Sequence, residues 1–390
     1  MKILLATDSY KQINGVSNSV GLLAQGLRER GHEVKVLSLS ENHKSYREGD
    51  DYYIGSMDAM IYPDLRFSLA RADELIDRLV EWHPDIAHIQ TEFSANFLAM
   101  KIVKKCDIPY VMTAHTDYEE YFKSKNVNAT LARAMIKNFE RVVYGKADTL
   151  IVPSYKIQEL VEIYKVRCPV VVIPTGIELK NYPEMTHGKE QLLQKLGIKN
   201  NGKVLVCVSR ISKEKNIGEL IDYMPALLRK DPEITLLIVG GGPYLDKLRE
   251  KVDRLELNDS VRFAGMIPSD EVYKYYRVGD IFVCGSTFET QGLTYVEALA
   301  NALPLVCRED KCLINIIEQG ENGFTYTNEE EYVAHILTIL SDRALQKKMS
   351  TASVGKSYAF SKEVFISSVE QLYLDVIAKH KKGEKATTEL

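Results

Sequence analysis

At 390 residues, with 45% hydrophobic and 27% charged side chains, the chain has the length for two domains with substantial cores and the composition of an ordinary globular protein. A formal net charge of −4 argues against a general nucleic-acid binder, which would carry a basic balance. No apolar run approaches the roughly 20 residues of a membrane span. The six cysteines (Cys106, Cys168, Cys207, Cys284, Cys307, Cys312) show no CxxC spacing, which points to reduced core thiols rather than a metal site.

The N-terminus MKILLATDSY turns polar too soon for a secretory signal and reads as a first strand, Lys2 to Thr7. The loop DSYKQINGVSNS follows, then an amphipathic helix to about Arg30, a stop at Gly31 and the strand HEVKVLSLS. Strand, loop, helix and strand make a βαβ unit and imply a parallel sheet. The first loop holds the single Gly15 and no GxGxxG, which disfavours a dinucleotide-binding site. Gly15 either brings backbone N–H groups up to a phosphate or serves a plain turn. Further strands are expected at Ile86–Ile89, Tyr110–Thr113 and Thr149–Pro153. His88 reads as buried architecture. The strand PYVMTAH ends at His115; a histidine there is more often structural than catalytic, yet ligands bind at the carboxyl ends of strands in open α/β sheets.

A helix from about Ala129 to Val143 sets Arg133, Lys137 and Arg141 at successive i+4 steps, with Lys123 and Lys125 upstream and Leu131, Met135, Phe139 and Val142 on an apolar side. This is either a solvated face or a patch for anionic lipid headgroups, worth about 1 kcal/mol per basic residue near the surface. Turn signals in VVVIPTGIELKNYPEM put a domain boundary near Glu178 to Pro183. The α/β pattern then restarts with KVLVCVSR, EITLLIVGGGPY, VRFAGMI, DIFVCGS and LPLVCRED. From Ser361 a last helix carries Phe365, Val369, Leu372, Tyr373 and Val376, and the polar tail beyond about Lys381 is expected to be disordered.

Two stretches of the second half carry chemistry. KVLVCVSR delivers Arg210 to a strand end, with Lys215 five residues on; together they can hold phosphate oxygens. Gly240, Gly241 and Gly242 either let the chain pass close to a nucleotide or form a simple loop. The second stretch is GSTFETQGLTYVEALANAL, Gly285 to Leu303. A helix is expected from about Gly292, with Thr290 able to cap it and Gly292 allowing close approach to the backbone. Leu293, Val296, Glu297 and Ala300 share a face, so Glu297 falls on the side expected to be buried and needs a hydrogen-bonding partner. Glu289 lies eight positions earlier, beneath a helix N-terminus that attracts phosphate. Either acid by itself would be a surface charge or a helix-dipole partner; the pair suits a molecule with both hydroxyls and phosphates, such as a nucleotide sugar.

ETQGLTYVEALA resembles the paired-glutamate motif of family-4 retaining glycosyltransferases, in the form found in bacterial 1,2-diacylglycerol 3-alpha-glucosyltransferases, where Thr-Gln replaces the more general Gly-Phe. HTDYEEY, from His115, resembles a segment of the same lipid subgroup, and HIQTEFSANF, from His88, is similar to a segment of the family, which makes Glu92 an acceptor-side candidate; the likeness runs from Gly15 to the last helix. Asn301, where a small Ser or Gly is common, departs from it. The resemblance implies an α/β, GT-B architecture: two Rossmann-like domains with parallel sheets facing across a cleft. Residues 1–178 would form the acceptor-binding domain and 179–360 the nucleotide-sugar domain. Residues 361–381 would pack back on the first domain, and 382–390 would be the tail.

The site follows by the same resemblance. Arg210, Lys215, Gly15 and the N–H groups near Gln291, Gly292 and Leu293, beside Thr290, would hold the donor diphosphate, with Gly241 close to the nucleotide. Glu289 would hold sugar hydroxyls, Glu297 the ribose, and the main chain at Gly265 and Met266 the base. His115 would contact the sugar. The expected reaction moves a hexose, most plainly glucose, from a UDP-sugar to an acceptor hydroxyl with retention, without a metal or other cofactor. Diacylglycerol leads as acceptor, which implies a cytoplasmic protein peripheral to the inner face of the cell membrane; a small metabolite or a protein hydroxyl is the alternative. Two other classes are a non-catalytic nucleotide-sugar-binding subunit, against which the complete residue set speaks, and a nicotinamide-dependent oxidoreductase, against which the missing glycine fingerprint speaks.

Overall fold

The computed structural model describes residues 1–11, 15–58, 66–68, 73–118, 129–181, 188–200 and 202–383. Its contacts divide the chain into two units, Met1–Gly176 with Lys362–Leu390, and Ile177–Ser361. Each is built on a sheet whose strands are short apolar runs joined by amphipathic helices. Because helices cover both faces of a parallel sheet, its central strands read as continuous hydrophobic segments rather than alternating ones. IAHI, YVMT and TLIV are buried at every position.

In the first unit the sheet runs Val170–Val172, Thr149–Val152, Tyr110–Thr113, Ile86–Ile89, Lys2–Ala6, Glu33–Leu39, Asp51–Ile54 and Tyr46–Glu48. All neighbours are parallel except the last pair. Successive side chains point to opposite faces, so Leu4 and Ala6 join a core with the helices Glu74–Trp82 and Ser94–Cys106, while Ile3 and Leu5 join a second one. The second core is covered by the helix Gly15–Glu29 and by the C-terminal helix Lys362–Lys381, which contributes Phe365, Ile366, Val369, Tyr373 and Val376. A Cβ on Gly26 would fall 2.6 Å from Ile366 Cγ1, so the two helices meet where a side chain is missing. Arg30 and His32 both reach Glu370 at 2.6 Å and pin the same contact.

The second unit has the order Val261–Gly265, Ile234–Val239, Lys203–Val208, Ile281–Cys284, Leu305–Arg308 and Gly323–Tyr326, all parallel. The strand Gly323–Tyr326 was not expected from the sequence. The chain enters and leaves this unit side by side, with Ile177 N donating to Phe360 O at 2.9 Å. All six cysteines are buried with free thiols.

Candidate active site

In the second unit the strands Lys203–Val208 and Ile281–Cys284 are neighbours, and their carboxyl ends lead into the two chemistry-bearing stretches. Asn216, in left-handed backbone at φ 51°, laces them together: its Nδ2 donates to Gly285 O at 3.2 Å and to Glu219 Oε2 at 2.9 Å. A Cβ on Gly285 would stand 2.8 Å from Asn216 O, so the close approach requires glycine. This lacing brings Lys215 to Glu289: Nζ donates to Oε1 at 2.6 Å, and each side chain is only 14% exposed. Arg210 lies further out, 66% exposed, with Nη2 on Glu214 Oε1 at 3.0 Å. Ser212 Oγ donates to the same oxygen at 2.6 Å. Burial pushes the Glu214 carboxyl up, but Ser212, its own N–H and the charges of Arg210 and Lys215 together outweigh burial and hold it below the usual value. Both cations expected to meet a diphosphate are therefore held by carboxylates.

The helix after the second stretch spans Leu293–Ala300, and its cap position falls on Gly292 rather than Thr290. Gly292 sits at φ 75°, and a Cβ there would overlap the ring of the fully buried Tyr295. Glu297 is half-buried rather than buried. The partner its position called for is Tyr276, whose hydroxyl donates to Glu297 Oε2 at 2.8 Å. Gln291 is buried, and Thr290 and Leu293 are half-buried. The glycine run has mixed duties. Side chains at Gly240 and Gly242 would collide with the carbonyls of Ser209 and Ile211, so these two let the chain pack against the strand end that carries Arg210. Gly241, whose carbonyl accepts from Ile211 N at 2.8 Å, faces Met266 instead. Gly265 has φ 77°, and Met266 is 81% exposed.

In the first unit Gly15 is the opening residue of the helix Gly15–Glu29, so GVSNS is helical and not part of the expected loop. Ser19 Oγ meets Thr175 Oγ1 at 3.0 Å, and Ser17 Oγ donates to Ser9 O, which tether the first turn. His115 follows the strand Tyr110–Thr113, half-buried, with Nε2 2.7 Å from Gln90 Oε1. Burial lowers its imidazole to about 4, so it is neutral at pH 7. His88 is buried and bonded to Thr113 and Tyr373. Glu92, expected on the acceptor side, is buried and accepts from Tyr118 Oη at 2.6 Å and from Tyr144 Oη, one hydroxyl on each oxygen, the contacts of a structural brace. Asp8, overlooked in the sequence, accepts from Ala95 N at 2.8 Å and from Thr91 Oγ1, and burial raises its carboxyl to about 6. Its signal was its place just past the first strand, in ATDSY.

The helix Ala129–Tyr144 carries Arg133, Lys137 and Arg141; Lys123 and Lys125 lie outside the described residues. Its apolar side does not all turn inward. Met135 is 66% exposed, Val142 55% and Phe139 36%, and Ile163 on the following helix is 49% exposed. Arg133, Ala134, Lys137, Ile163 and Tyr164 line a cavity of 410 Å³. Among the described residues no helix is long and apolar enough to cross a membrane, and no group of three or more His, Cys, Asp or Glu side chains could hold a metal ion.

Comparison with known proteins bears on both halves. Residues 13–181 match the family model for Glycosyltransferase Family 4, and residues 188–354 match that for glycosyl transferases group 1. The chain is 34% identical over 382 residues to the alpha-monoglucosyldiacylglycerol synthase of Streptococcus pneumoniae, covering 97% of this chain and 86% of that one. It is 32% identical over 398 residues to the alpha-monoglucosyldiacylglycerol synthase of Acholeplasma laidlawii, covering 98% and 99%. Anabaena HepE in complex with UDP-glucose superposes with a TM-score of 0.74 at 20% identity, over 96% of this chain and all (100%) of that one. Sucrose-phosphate synthase from Thermosynechococcus elongatus gives 0.77 at 18% identity, over 96% and 99%. The structural likenesses show the fold, GT-B. With two sequence relatives above 30% identity along nearly its whole length, this chain belongs to glycosyltransferase family 4.

Proposed function

We propose that this enzyme transfers glucose from UDP-glucose to a hydroxyl of diacylglycerol at a membrane surface, with retention at the anomeric carbon. The near full-length match to two alpha-monoglucosyldiacylglycerol synthases carries this reading. The site chemistry agrees with it. Departure of a nucleoside diphosphate develops negative charge, and stabilising that charge is the main electrostatic task of the transfer. Lys215 trades Glu289 for the diphosphate, and Arg210 trades Glu214 for it. The exchange releases the Glu289 carboxylate to accept from sugar hydroxyls. The N–H groups at Gln291 to Leu293 and the Gly15 helix start add donors to the same phosphates. Glu297 takes the ribose hydroxyls beside Tyr276, the main chain at Gly265 and Met266 and the space at Gly241 take the base and nucleotide, and His115 contacts the sugar. The acceptor oxygen bonds to the anomeric carbon on the face the diphosphate leaves, the C–O bond to UDP breaks, and the acceptor's proton passes to the leaving phosphate oxygen, which keeps the anomeric configuration.

The basic helix supports the lipid acceptor. Arg133, Lys137 and Arg141 share a helix with the exposed Met135, Phe139 and Val142, a combination that suits an interface of anionic headgroups and acyl chains. The enzyme is then peripheral on the cytoplasmic face of the membrane.

A donor-by-acceptor screen scoring UDP release tests the assignment. UDP-glucose with diacylglycerol in anionic vesicles is the expected best pair, and NMR of the product is expected to show an α-linkage. Release of UDP with soluble acceptors but none with diacylglycerol would defeat the lipid reading. Reversal of Arg133, Lys137 and Arg141 to Glu is expected to abolish pelleting with anionic vesicles.

A further inference from the structure

His88, Gln90, Thr113 and His115 lie at alternating positions near the carboxyl ends of two adjacent strands, so all four belong to one sheet face. That face is the one covered by the C-terminal helix Lys362–Lys381, which lowers Tyr373 onto His88. The polar atoms form a continuous chain. Tyr373 Oη is 2.6 Å from His88 Nδ1, His88 Nε2 is 2.6 Å from Thr113 Oγ1 and 3.0 Å from Gln90 Nε2, and Gln90 Oε1 is 2.7 Å from His115 Nε2. A primary amide has one end that only donates and one that only accepts. Gln90 therefore dictates opposite roles to the two imidazoles. In this amide orientation its NH₂ meets a lone pair on His88 Nε2, which the Thr113 hydroxyl also faces as a donor, and the His88 proton then lies on Nδ1, where Tyr373 Oη accepts it. Its carbonyl requires a proton on His115 Nε2, which leaves the lone pair of the neutral ring on Nδ1.

We propose that Gln90 is a positioning residue that holds His115 in a single tautomer, proton on Nε2 and acceptor at Nδ1, with His88 and the C-terminal helix as its anchor. This rests on the reading of His115 as a sugar contact. In that role Nδ1 accepts from a hydroxyl of the bound hexose. A ring free to change tautomer would present a donor to the same hydroxyl for part of the time. Tyr373, whose hydroxyl can accept from His88 Nδ1, comes from the far end of the sequence, so the C-terminal helix anchors the chain of bonds while Gln90 sets the protonation state.

The test uses the full-length enzyme. In ¹⁵N-labelled protein at pH 7.5, the His115 imidazole is expected to show the proton on Nε2, and Gln90→Met is expected to give a mixture of tautomers. Gln90→Glu, which only accepts at both oxygens, is expected to keep the His115 proton on Nε2 while moving the His88 proton from Nδ1 to Nε2. In turnover with UDP-glucose, Gln90→Met is expected to lower kcat about tenfold with little change in KM, and to have no further effect in a His115→Ala background. A parent enzyme with the His115 proton on Nδ1, or a Gln90→Met loss that adds in full to that of His115→Ala, would overturn the proposal. A His115→Ala enzyme of undiminished activity would defeat the sugar contact by itself, because the spectra decide the positioning chain without turnover.

Discussion

Lys215→Met isolates the ion pair at the centre of the second unit. The substitution keeps most of the aliphatic stem and deletes the charge, which strands Glu289 at 14% exposure. Removing one partner of a buried pair costs about 3–5 kcal/mol, and the residual contact with water puts this case near the lower figure, about 3 kcal/mol. For a domain of this size each kcal/mol moves the midpoint by about 2–4 °C, so thermal unfolding is expected about 6–12 °C lower. Lys215→Met with Glu289→Gln removes both charges and leaves no stranded ion. That double variant is expected to recover about 2 kcal/mol of the loss, while glucosyl transfer stays well below that of the parent. Thermal and urea unfolding of parent, both single variants and the double variant give the coupling directly. A double variant no more stable than Lys215→Met would refute the view that the cation is there, before substrate arrives, to neutralise the buried acid.

Three further outcomes follow from the same geometry. Glu289→Gln frees Lys215 for phosphate, so UDP by itself is expected to bind about tenfold more tightly, a gain of about 1.4 kcal/mol, while glucosyl transfer falls; weaker UDP binding in calorimetry would contradict the exchange. Gly292→Ala combines a left-handed backbone with overlap on the buried Tyr295 ring and is expected to cost about 3 kcal/mol in urea unfolding, whereas a loss under about 1 kcal/mol would mean the turn is not constrained as described. Burial lowers His88 to about 3, helped by the charge on His115, and lowers His115 itself to about 4. From pH 6.5 down to about 4 the unfolded chain therefore binds protons that the folded chain refuses, and stability falls on acidification by about 1.4 kcal/mol per pH unit for each ring. Asp8, raised by burial to about 6 against the pull of Thr91 and Ala95, takes its proton in the folded state first and opposes that fall between pH 6 and 4. Asp8→Asn is expected to steepen the acid slope by about 1.4 kcal/mol per pH unit, read from urea unfolding at a series of pH values, and parallel curves would refute it.

The central strands were legible because a sheet buried on both faces needs uninterrupted apolar runs, and IAHI, YVMT and KVLVCV have nowhere else to go. Gly323–Tyr326 was not, since GFTY is brief and opens on a glycine whose reason lies elsewhere: a Cβ there would collide with the backbone of Leu305. The acid pair was visible from its spacing, but the binding of Glu289 to Lys215 was not, because it depends on Asn216 and Gly285 closing a gap between residues far apart in sequence. Thr290 was assigned the cap because side-chain capping is the common solution; the ring of Tyr295 leaves room only for a glycine at the turn. The apolar side of Ala129–Tyr144 was legible from its periodicity, but periodicity says only that a side is apolar, not what covers it, and Met135 and Val142 stay exposed. Gln90 carried a readable signal, its period of two from His88, whose meaning needed Tyr373 from the other end of the chain.

The helix Lys362–Lys381 is translated after the whole of Ile177–Ser361, yet it roofs a core built within Met1–Gly176. At about 5–20 residues per second, translation of the intervening Ile177–Ser361 takes roughly ten to forty seconds. Through that interval the core of Ile3, Leu5, Val20 and Leu23 has the helix Gly15–Glu29 but lacks Phe365, Ile366, Val369 and Tyr373, so part of its apolar surface stays open to water. The exposure lasts for a span set by the length of the second unit, and removing the helix Lys362–Lys381 leaves the face it covers bare rather than merely trimming the chain.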